Sequence, residues 1–201
     1  MLRIVQIAVG MGMNKLRLTG GEPLVRKGIM DFIRNLTTIK GLEEIRLTTN
    51  GVLLHDKAAE LYRAGIRSLN ISLDSMKRER FLAITGADFY DQVRQSIRTA
   101  CDLGFNVKIN VVAMKGINDD EFLDFAELAL QKPVQVRFIE FMPIGNQENW
   151  NKGRFIAAND LKTIISARGT LEPVPGSRLD GPARVYRLTT ADGLTGKIGF
   201  I

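Results

Sequence analysis

Residues 17–23 have the sequence Arg17-Leu18-Thr19-Gly20-Gly21-Glu22-Pro23, which joins a predicted strand at 15–18 to a predicted helix at 25–39. Two adjacent glycines let a backbone pass close to a ligand, because neither carries a Cβ. Glu22 offers a carboxylate to a cation, and Pro23 ends the strand and prepares the turn into the helix. Because α/β folds place their sites at such connections, the stretch predicts a ligand-binding turn, with a plain tight turn as the alternative.

The same strand–helix pattern repeats along the chain. Further strands are predicted at 44–48, 68–73, 106–113 and 134–141. All are rich in Ile, Val and Leu, which predicts parallel strands that are apolar on both faces. Five strands of this kind are too few to close a barrel of eight. After residue 142 the pattern changes to a polar loop, a helix at 158–167 and strands at 183–188 and 197–201, so we expect domains at 1–142 and 143–201.

Composition is typical of a soluble globular protein, and because neither a membrane span nor a signal peptide is predicted, we expect a cytoplasmic protein. Apolar residues make up 45% of the 201 residues and charged residues 25%. No apolar run approaches the roughly 18 residues that a membrane span needs, and we expect no membrane association. The net charge of +6 comes from scattered basic residues, which favours a small polyanionic substrate over a nucleic acid. Cys101 is the single cysteine, which excludes an internal disulfide and a cysteine-based metal cluster, and no metal site is expected.

Polar side chains gather where the predicted strands end. The segments are Thr19–Glu22, Thr48–Asn50, Ser72–Asp74 and Glu140–Met142. Since the carboxyl ends of parallel strands meet at one edge of a sheet, these segments are expected to converge on one site.

Lys108 and Asn110 share one face of their strand and are predicted to point into the interior. An unpaired buried charge is costly, so Lys108 is expected to bind an anion.

Simpler structural roles remain open for the other candidates. Thr48 and Ser72 could satisfy turn backbone, and Asn50-Gly51 is a common turn dipeptide. Asp74 could cap the next helix as well as contact a ligand, and Asn118–Glu121 predicts the N-cap of the helix that ends near 130. Met142 could simply belong to the core.

The ordered set of motifs resembles the radical S-adenosylmethionine (SAM) enzymes, and among them the GTP 3′,8-cyclase family of molybdenum cofactor biosynthesis. The resemblance covers residues 15–201 and rests on the segments Leu18–Leu24, Thr48–Gly51, Asn70–Asp74, Lys108–Val112, Gly116–Asp119 and Arg137–Pro143. It implies an incomplete (β/α)6 barrel of the TIM-like type, in which the five predicted strands are the second to the sixth.

What the resemblance implies can be placed on matching positions. Gly20, Gly21 and Glu22 match the motif that holds the methionine amine of SAM, and Ser72 and Met142 match further SAM contacts. The positions that match GTP contacts are Arg17, Thr48 and Lys108.

The implied reaction splits SAM with an electron from a [4Fe-4S] cluster. The resulting radical takes a hydrogen from the ribose of GTP, which then closes to (8S)-3′,8-cyclo-7,8-dihydroguanosine 5′-triphosphate. The family also implies a second [4Fe-4S] cluster and the cyclic pyranopterin monophosphate synthase accessory protein as pathway partner.

The chain departs from the family pattern in its cysteines. The Cys-x3-Cys-x2-Cys loop after the first strand and the second cysteine set near the C-terminus are both absent, as is the Gly-Gly tail. We therefore expect a fragment that lacks the first strand and its cluster loop and carries a partial C-terminal extension. An exposed edge beside residues 15–18 would then favour self-association, so we expect the fragment to aggregate or to form a homodimer. Two alternatives stay open: a cluster-free protein that binds nucleotide or SAM without catalysis, and an aldolase-like barrel in which Lys108 forms a Schiff base.

Overall fold

A computed structural model describes residues 1–142, 152–176 and 181–201. The described residues form seven α-helices and eight strands. In chain order these are α1 Leu2–Gly10, β1 Lys15–Leu18, α2 Ile29–Thr37, β2 Glu44–Thr49, α3 Leu54–Arg63, β3 Ser68–Ser72, α4 Arg78–Thr85, α5 Tyr90–Asp102, β4 Asn106–Ala113, α6 Phe122–Gln131, β5 Val134–Glu140, α7 Ala158–Ser166, β6 Thr170–Pro173, β7 Arg184–Thr189 and β8 Thr195–Phe200. Short 3-10 helices cover Pro23–Val25, Asp119–Glu121 and Lys152–Arg154.

The chain divides into two compact units. The first contains residues 1–72 and 91–107, and the second contains residues 73–90 and 108–201.

The first unit carries a parallel sheet of β1, β2 and β3, and the two faces of this sheet differ. Leu16 pairs with Ile45, and Leu47 pairs with Leu69. Ile45, Leu47 and Leu69 are buried, so this face joins the core with the buried side chains of α2, α3 and α5. The opposite face is polar and carries Lys15, Arg17, Glu44, Arg46, Thr48, Ser68, Asn70 and Ser72. The expectation of strands that are apolar on both faces is therefore wrong here, because every second residue of these strands is polar.

The second unit carries β4, β5, β8, β7 and β6 in that spatial order, with the first two residues of β4 belonging to the first unit. β8 is parallel to β5, whereas β7 is antiparallel to both β8 and β6. The rings of Phe122 and Phe125 on α6 meet Phe138 of β5 edge to face, with centroids 5.3 and 6.2 Å away. Phe138 also stacks on Phe200 of β8 at 6.1 Å. These aromatic contacts fix α6 against the two parallel strands.

Most predicted elements are present within a few residues of their expected bounds, with two clear differences. The helix expected from residue 25 begins at Ile29, because Pro23–Val25 forms a 3-10 turn and Gly28 adopts a left-handed φ of +76°. β6 was not predicted, since its sequence Thr-Leu-Glu-Pro has one apolar side chain and its residues are mostly exposed. Within the described residues, no helix combines the length and apolar content that crossing a membrane requires.

Candidate functional site

A pocket of about 190 Å³ lies in the first unit where β1, β2 and β3 end. Eight residues line it: Thr19, Gly20, Gly21, Glu22, Thr48, Thr49, Asn50 and Ser72. Five of the predicted site residues are thus brought together, namely Gly20, Gly21, Glu22, Thr48 and Ser72. The other three, Arg17, Lys108 and Met142, are not among the lining residues.

The Glu22 carboxylate is fixed by three hydrogen bonds. Its Oε1 accepts from the backbone N–H of Leu24 at 3.0 Å and from the hydroxyl of Thr49 at 2.8 Å. Its Oε2 accepts from the backbone N–H of Asn50 at 2.7 Å. An ionised carboxylate has about four lone-pair directions, so three donors leave room for a fourth. Glu22 is half-buried and borders the pocket, so a ligand ammonium can supply that donor.

The two glycines leave their side of the pocket open. Apart from the glycine itself and its two chain neighbours, no heavy atom of the described residues lies within 4 Å of the position that a Cβ would take on Gly20 or Gly21. Gly20 also has a φ of +136°, which side-chain-bearing residues rarely adopt. Both residues are exposed, so their peptide groups are accessible to a ligand at the pocket wall.

The turn after β2 is held by several hydrogen bonds. The hydroxyl of Thr49 accepts from the N–H of Gly51 at 3.1 Å, and Oδ1 of Asn50 accepts from the N–H of Val52 at 3.0 Å. The carbonyl of Gly51 accepts from the buried hydroxyl of Ser96 at 2.6 Å. The turn interpretation of Asn50-Gly51 is therefore correct. The turn also has a second role, since it holds the Glu22 carboxylate.

The polar face of the first unit contains charges that the sequence analysis missed. Glu44 accepts from Arg46 at 2.6 Å and lies 3.0 Å from the ammonium of Lys15. Burial alone would raise the pKa of Glu44, but the hydrogen bonds from Arg46 and Lys15 outweigh burial and lower the pKa to about 2. Arg17 is exposed on the same face. The alternation of charged and apolar residues in β1 and β2 was the signal that could have revealed this face.

Thr48 and Ser72 differ in their surroundings. The half-buried hydroxyl of Thr48 accepts from the side-chain amide of Asn70 at 3.2 Å, while Ser72 is exposed at the end of β3.

In the second unit, Lys108 and Asn110 are half-buried on one face of β4, as expected from their spacing. Oδ1 of Asn110 accepts from Arg137 Nε at 3.0 Å and from Arg137 Nη2 at 2.7 Å. Arg137 is buried, so this pair fixes a guanidinium in the interior of the unit. Met142 is 49% exposed, so the interpretation of Met142 as a core residue is wrong.

Asp74 neither caps a helix nor borders the pocket. Its Oδ1 accepts from the backbone N–H of Val112 at 2.8 Å, and α4 begins only at Arg78. Burial raises the pKa of Asp74, and the hydrogen bond from Val112 opposes that rise only in part. Asp74 therefore has a structural role, because it links the segment that follows β3 to strand β4.

The predicted N-cap cluster at Asn118–Glu121 lies where the helix begins, with Asn118 and Glu121 at the N-cap positions of the 3-10 turn and of α6, but neither residue caps through a side-chain hydrogen bond. The Asn118 amide donates to the carbonyl oxygens of Asp74 and Val112 at 2.7 and 2.8 Å. Glu121 is fully buried and accepts from the hydroxyl of Ser75 at 2.9 Å and from Arg80. Both side chains bind distant segments.

Among residues 1–142, 152–176 and 181–201, no three His, Cys, Asp or Glu side chains are grouped closely enough to hold a metal ion. Cys101 is half-buried on α5.

Comparison with known proteins decides the family. The profile of the Radical SAM superfamily matches residues 1–129, which is more than half of the chain. The chain belongs to the radical SAM superfamily. A second profile, Molybdenum Cofactor Synthesis C, matches residues 134–201.

Curated relatives extend the similarity along nearly the whole chain. It is 45% identical over 201 residues to the GTP 3′,8-cyclase of Heliobacterium modesticaldum, covering 99% of this chain and 61% of that protein. It is 47% identical over 199 residues to the GTP 3′,8-cyclase of Thermodesulfovibrio yellowstonii, covering 98% of this chain and again 61% of the relative. The chain thus spans about three fifths of the length of these relatives.

Solved structures support the fold alone. A domain of the pyruvate-formate lyase-activating enzyme from Bacteroides vulgatus is 14% identical, with a TM-score of 0.57 over 75% of this chain and 89% of that chain. A radical SAM methyltransferase from Sphaerobacter thermophilus is 19% identical, with a TM-score of 0.60 over 84% of this chain and 54% of that chain. The expected α/β fold of the radical SAM type, with parallel strands, is confirmed.

Proposed function

We propose that the chain is part of a GTP 3′,8-cyclase and that it supplies the SAM-binding and GTP-binding side chains for the first step of molybdenum cofactor biosynthesis. The observation that carries the proposal is the pocket around Glu22, which combines open glycine backbone with an oriented carboxylate. The 45% identity to a curated GTP 3′,8-cyclase over 99% of the chain supports the choice of reaction within the superfamily.

Gly20, Gly21 and Glu22 are proposed to hold the methionine part of SAM. The fixed carboxylate accepts from the ligand ammonium, while the exposed peptide groups of the glycines lie against the ligand backbone. Ser72, which borders the same pocket, and Met142, which is exposed, are proposed as further SAM contacts.

Arg17, Thr48 and Lys108 are proposed as GTP contacts. Arg17 and Lys108 carry positive charge suited to phosphate oxygens, and Arg17 is exposed at the end of the polar face of the first unit. The Thr48 hydroxyl can donate to the nucleotide while its oxygen accepts from Asn70. The product of the proposed reaction is (8S)-3′,8-cyclo-7,8-dihydroguanosine 5′-triphosphate.

The residues present fit SAM but not an iron–sulfur cluster. A [4Fe-4S] cluster is held by cysteine thiolates, and the sequence contains Cys101 as its single cysteine. Bound SAM would supply the radical chemistry, and this chain's own residues would bind and orient SAM and GTP.

The proposal also includes the cytoplasm as location, the accessory synthase of the pathway as partner, and a homodimer as assembly. The domain division at 142/143 remains a prediction.

Equilibrium binding tests the proposal. SAM and GTP should each bind to the protein in calorimetric titrations, and saturating SAM should not displace GTP, because the reaction needs both at once. ATP serves as the control nucleotide and should bind more weakly. A protein that binds neither SAM nor GTP would refute the proposed function.

A second candidate function, nucleotide or SAM binding without catalysis, is favoured by the single cysteine. Because the chain carries a single cysteine, iron uptake separates the two candidates only in a longer protein that joins this chain to the cysteine motifs of the family. If such a protein bound SAM and GTP but took up no iron and formed no 5′-deoxyadenosine, it would be a binding protein.

A further inference from the structure

Gln135 on β5 carries a buried side-chain amide in the second unit. The residue is 8% exposed, and none of the residues that the structure describes accepts a hydrogen bond from its Nε2. Buried donors in native proteins nearly always have a partner, because burial without one costs free energy. The unpartnered amide therefore points to an acceptor outside the described residues.

Arg137 lies two residues further along β5 and so projects from the same face of the strand. Its guanidinium is positioned by Oδ1 of Asn110, which accepts from Nε at 3.0 Å and from Nη2 at 2.7 Å. The amide of Gln135 thus stands beside a buried cation of fixed orientation.

Gly199 on β8 makes room for both side chains. It pairs with Arg137 in the parallel register of β5 and β8. A Cβ on Gly199 would lie 3.0 Å from Cγ of Arg137 and 3.1 Å from Nε2 of Gln135, which is closer than ordinary van der Waals contact. Any larger residue at position 199 would displace the two side chains.

Further positive charge lies on the same face of the sheet, on the strands next to β5. Gln135 pairs with Lys197 of β8, and Lys197 pairs with Arg187 of β7, and both cations are exposed. This line of paired residues ends with an acidic residue, Glu172 of β6, which pairs with Arg187. The surroundings of the Gln135 amide are therefore cationic, which favours an anionic acceptor.

We propose that Nε2 of Gln135 donates a hydrogen bond to a phosphate oxygen of the nucleotide substrate, beside Arg137. Phosphate oxygens are acceptors only, so a neutral amide donor next to a fixed guanidinium suits them, and the amide adds direction that charge alone lacks. This inference rests on the proposed function, because it assigns a further binding residue for GTP.

The test is calorimetric titration of the protein with GTP and, separately, with inorganic tripolyphosphate. Gln135→Leu keeps the approximate volume and removes the donor, so both ligands should bind about tenfold more weakly. Gln92→Leu, at an exposed position of α5, makes the same chemical change elsewhere and should leave both affinities unchanged. Thermal denaturation checks that each variant is folded. If Gln135→Leu does not fold, Gln135→Asn is used instead. This variant keeps the amide but shortens the side chain by one methylene group, and it should weaken the binding of both ligands in the same way.

The outcomes separate this inference from the proposed function. If the wild-type protein binds GTP and the folded Gln135 variant binds GTP equally well, the inference is overturned and the proposed function stands. If the variant loses affinity for GTP but not for tripolyphosphate, the assignment to phosphate is wrong. If the wild-type protein does not bind GTP at all, the proposed function fails and the inference fails with it.

Discussion

The carboxylate of Glu22 and the hydroxyl of Thr49 are joined by a hydrogen bond of 2.8 Å between Oε1 and Oγ1, across 27 residues of sequence. This bond ties the turn after β1 to the end of β2 within the first unit. It orients the carboxylate, and the N–H of Asn50 bonds to the other oxygen at 2.7 Å. A charged acceptor that is held before the ligand arrives loses little conformational entropy on binding.

Glu22→Gln should weaken SAM binding about tenfold or more, because it removes the negative charge that faces the ligand ammonium and keeps the shape of the side chain. Calorimetric titration with SAM measures the effect. Glu79→Gln, at an exposed position in the first turn of α4, is the matched control and should bind SAM like the wild type. Equal SAM affinity in the Glu22 variant and the control would argue against the SAM assignment.

Lys108→Ala should weaken GTP binding about tenfold, since it removes a half-buried cation proposed to contact phosphate. Titration with GTP measures the loss, and titration with SAM in the same preparation shows whether the effect is specific to the nucleotide. Lys115→Ala, at an exposed position after β4, removes the same charge from the surface and serves as the control. Unchanged GTP affinity would remove Lys108 from the proposed site.

The sequence allowed accurate prediction where the signal was local. β4 has its predicted bounds because Val107, Ile109 and Val111 alternate with polar residues, and the Glu22 turn is visible from its two glycines. The bond between Ser75 and Glu121 could not be predicted, because it joins residues 46 positions apart. The cluster of polar residues before α6 predicted that Glu121 caps the helix. Polar residues at the start of a helix usually have that role when no distant partner competes for the side chain.

The pH dependence of stability should reveal the Lys15–Glu44–Arg46 cluster. The folded-state pKa of Glu44 is lowered from 4.5 to about 2, so its ionised form stabilises the fold above pH 4.5, and that contribution is lost as the pH falls towards 2. Glu44→Gln should therefore unfold more easily than the wild type at pH 6, and the difference should shrink between pH 4.5 and pH 2. Urea denaturation at each pH gives the free energies. Glu43→Gln, whose partner Asn14 is neutral, should show a much smaller change with pH.

Glu121 should be the most sensitive acidic residue of the second unit for stability. Its side chain is fully buried and accepts from the hydroxyl of Ser75, from the N–H of Met76 at 2.5 Å and from Arg80. Glu121→Ala would remove the acceptor of the half-buried N–H of Met76, leave the buried hydroxyl of Ser75 the carbonyl of Lys77 at 3.1 Å as its acceptor, and remove one partner of the guanidinium. We expect the free energy of unfolding to fall by about 3 kcal/mol.

Arg80 supplies an internal control for that measurement, because it also pairs with Asp120, which is exposed. Asp120→Ala also removes an ion pair with this guanidinium, but it leaves Ser75 and Met76 with their acceptor. Its effect on the free energy of unfolding should therefore be much smaller. Urea denaturation of both variants gives the comparison. Equal losses would mean that the charge of Arg80 determines the stability of this cluster. A loss confined to Glu121→Ala would assign the stability to the hydrogen bonds that Ser75 and Met76 donate to the buried Glu121, which hold the segment after β3 in place.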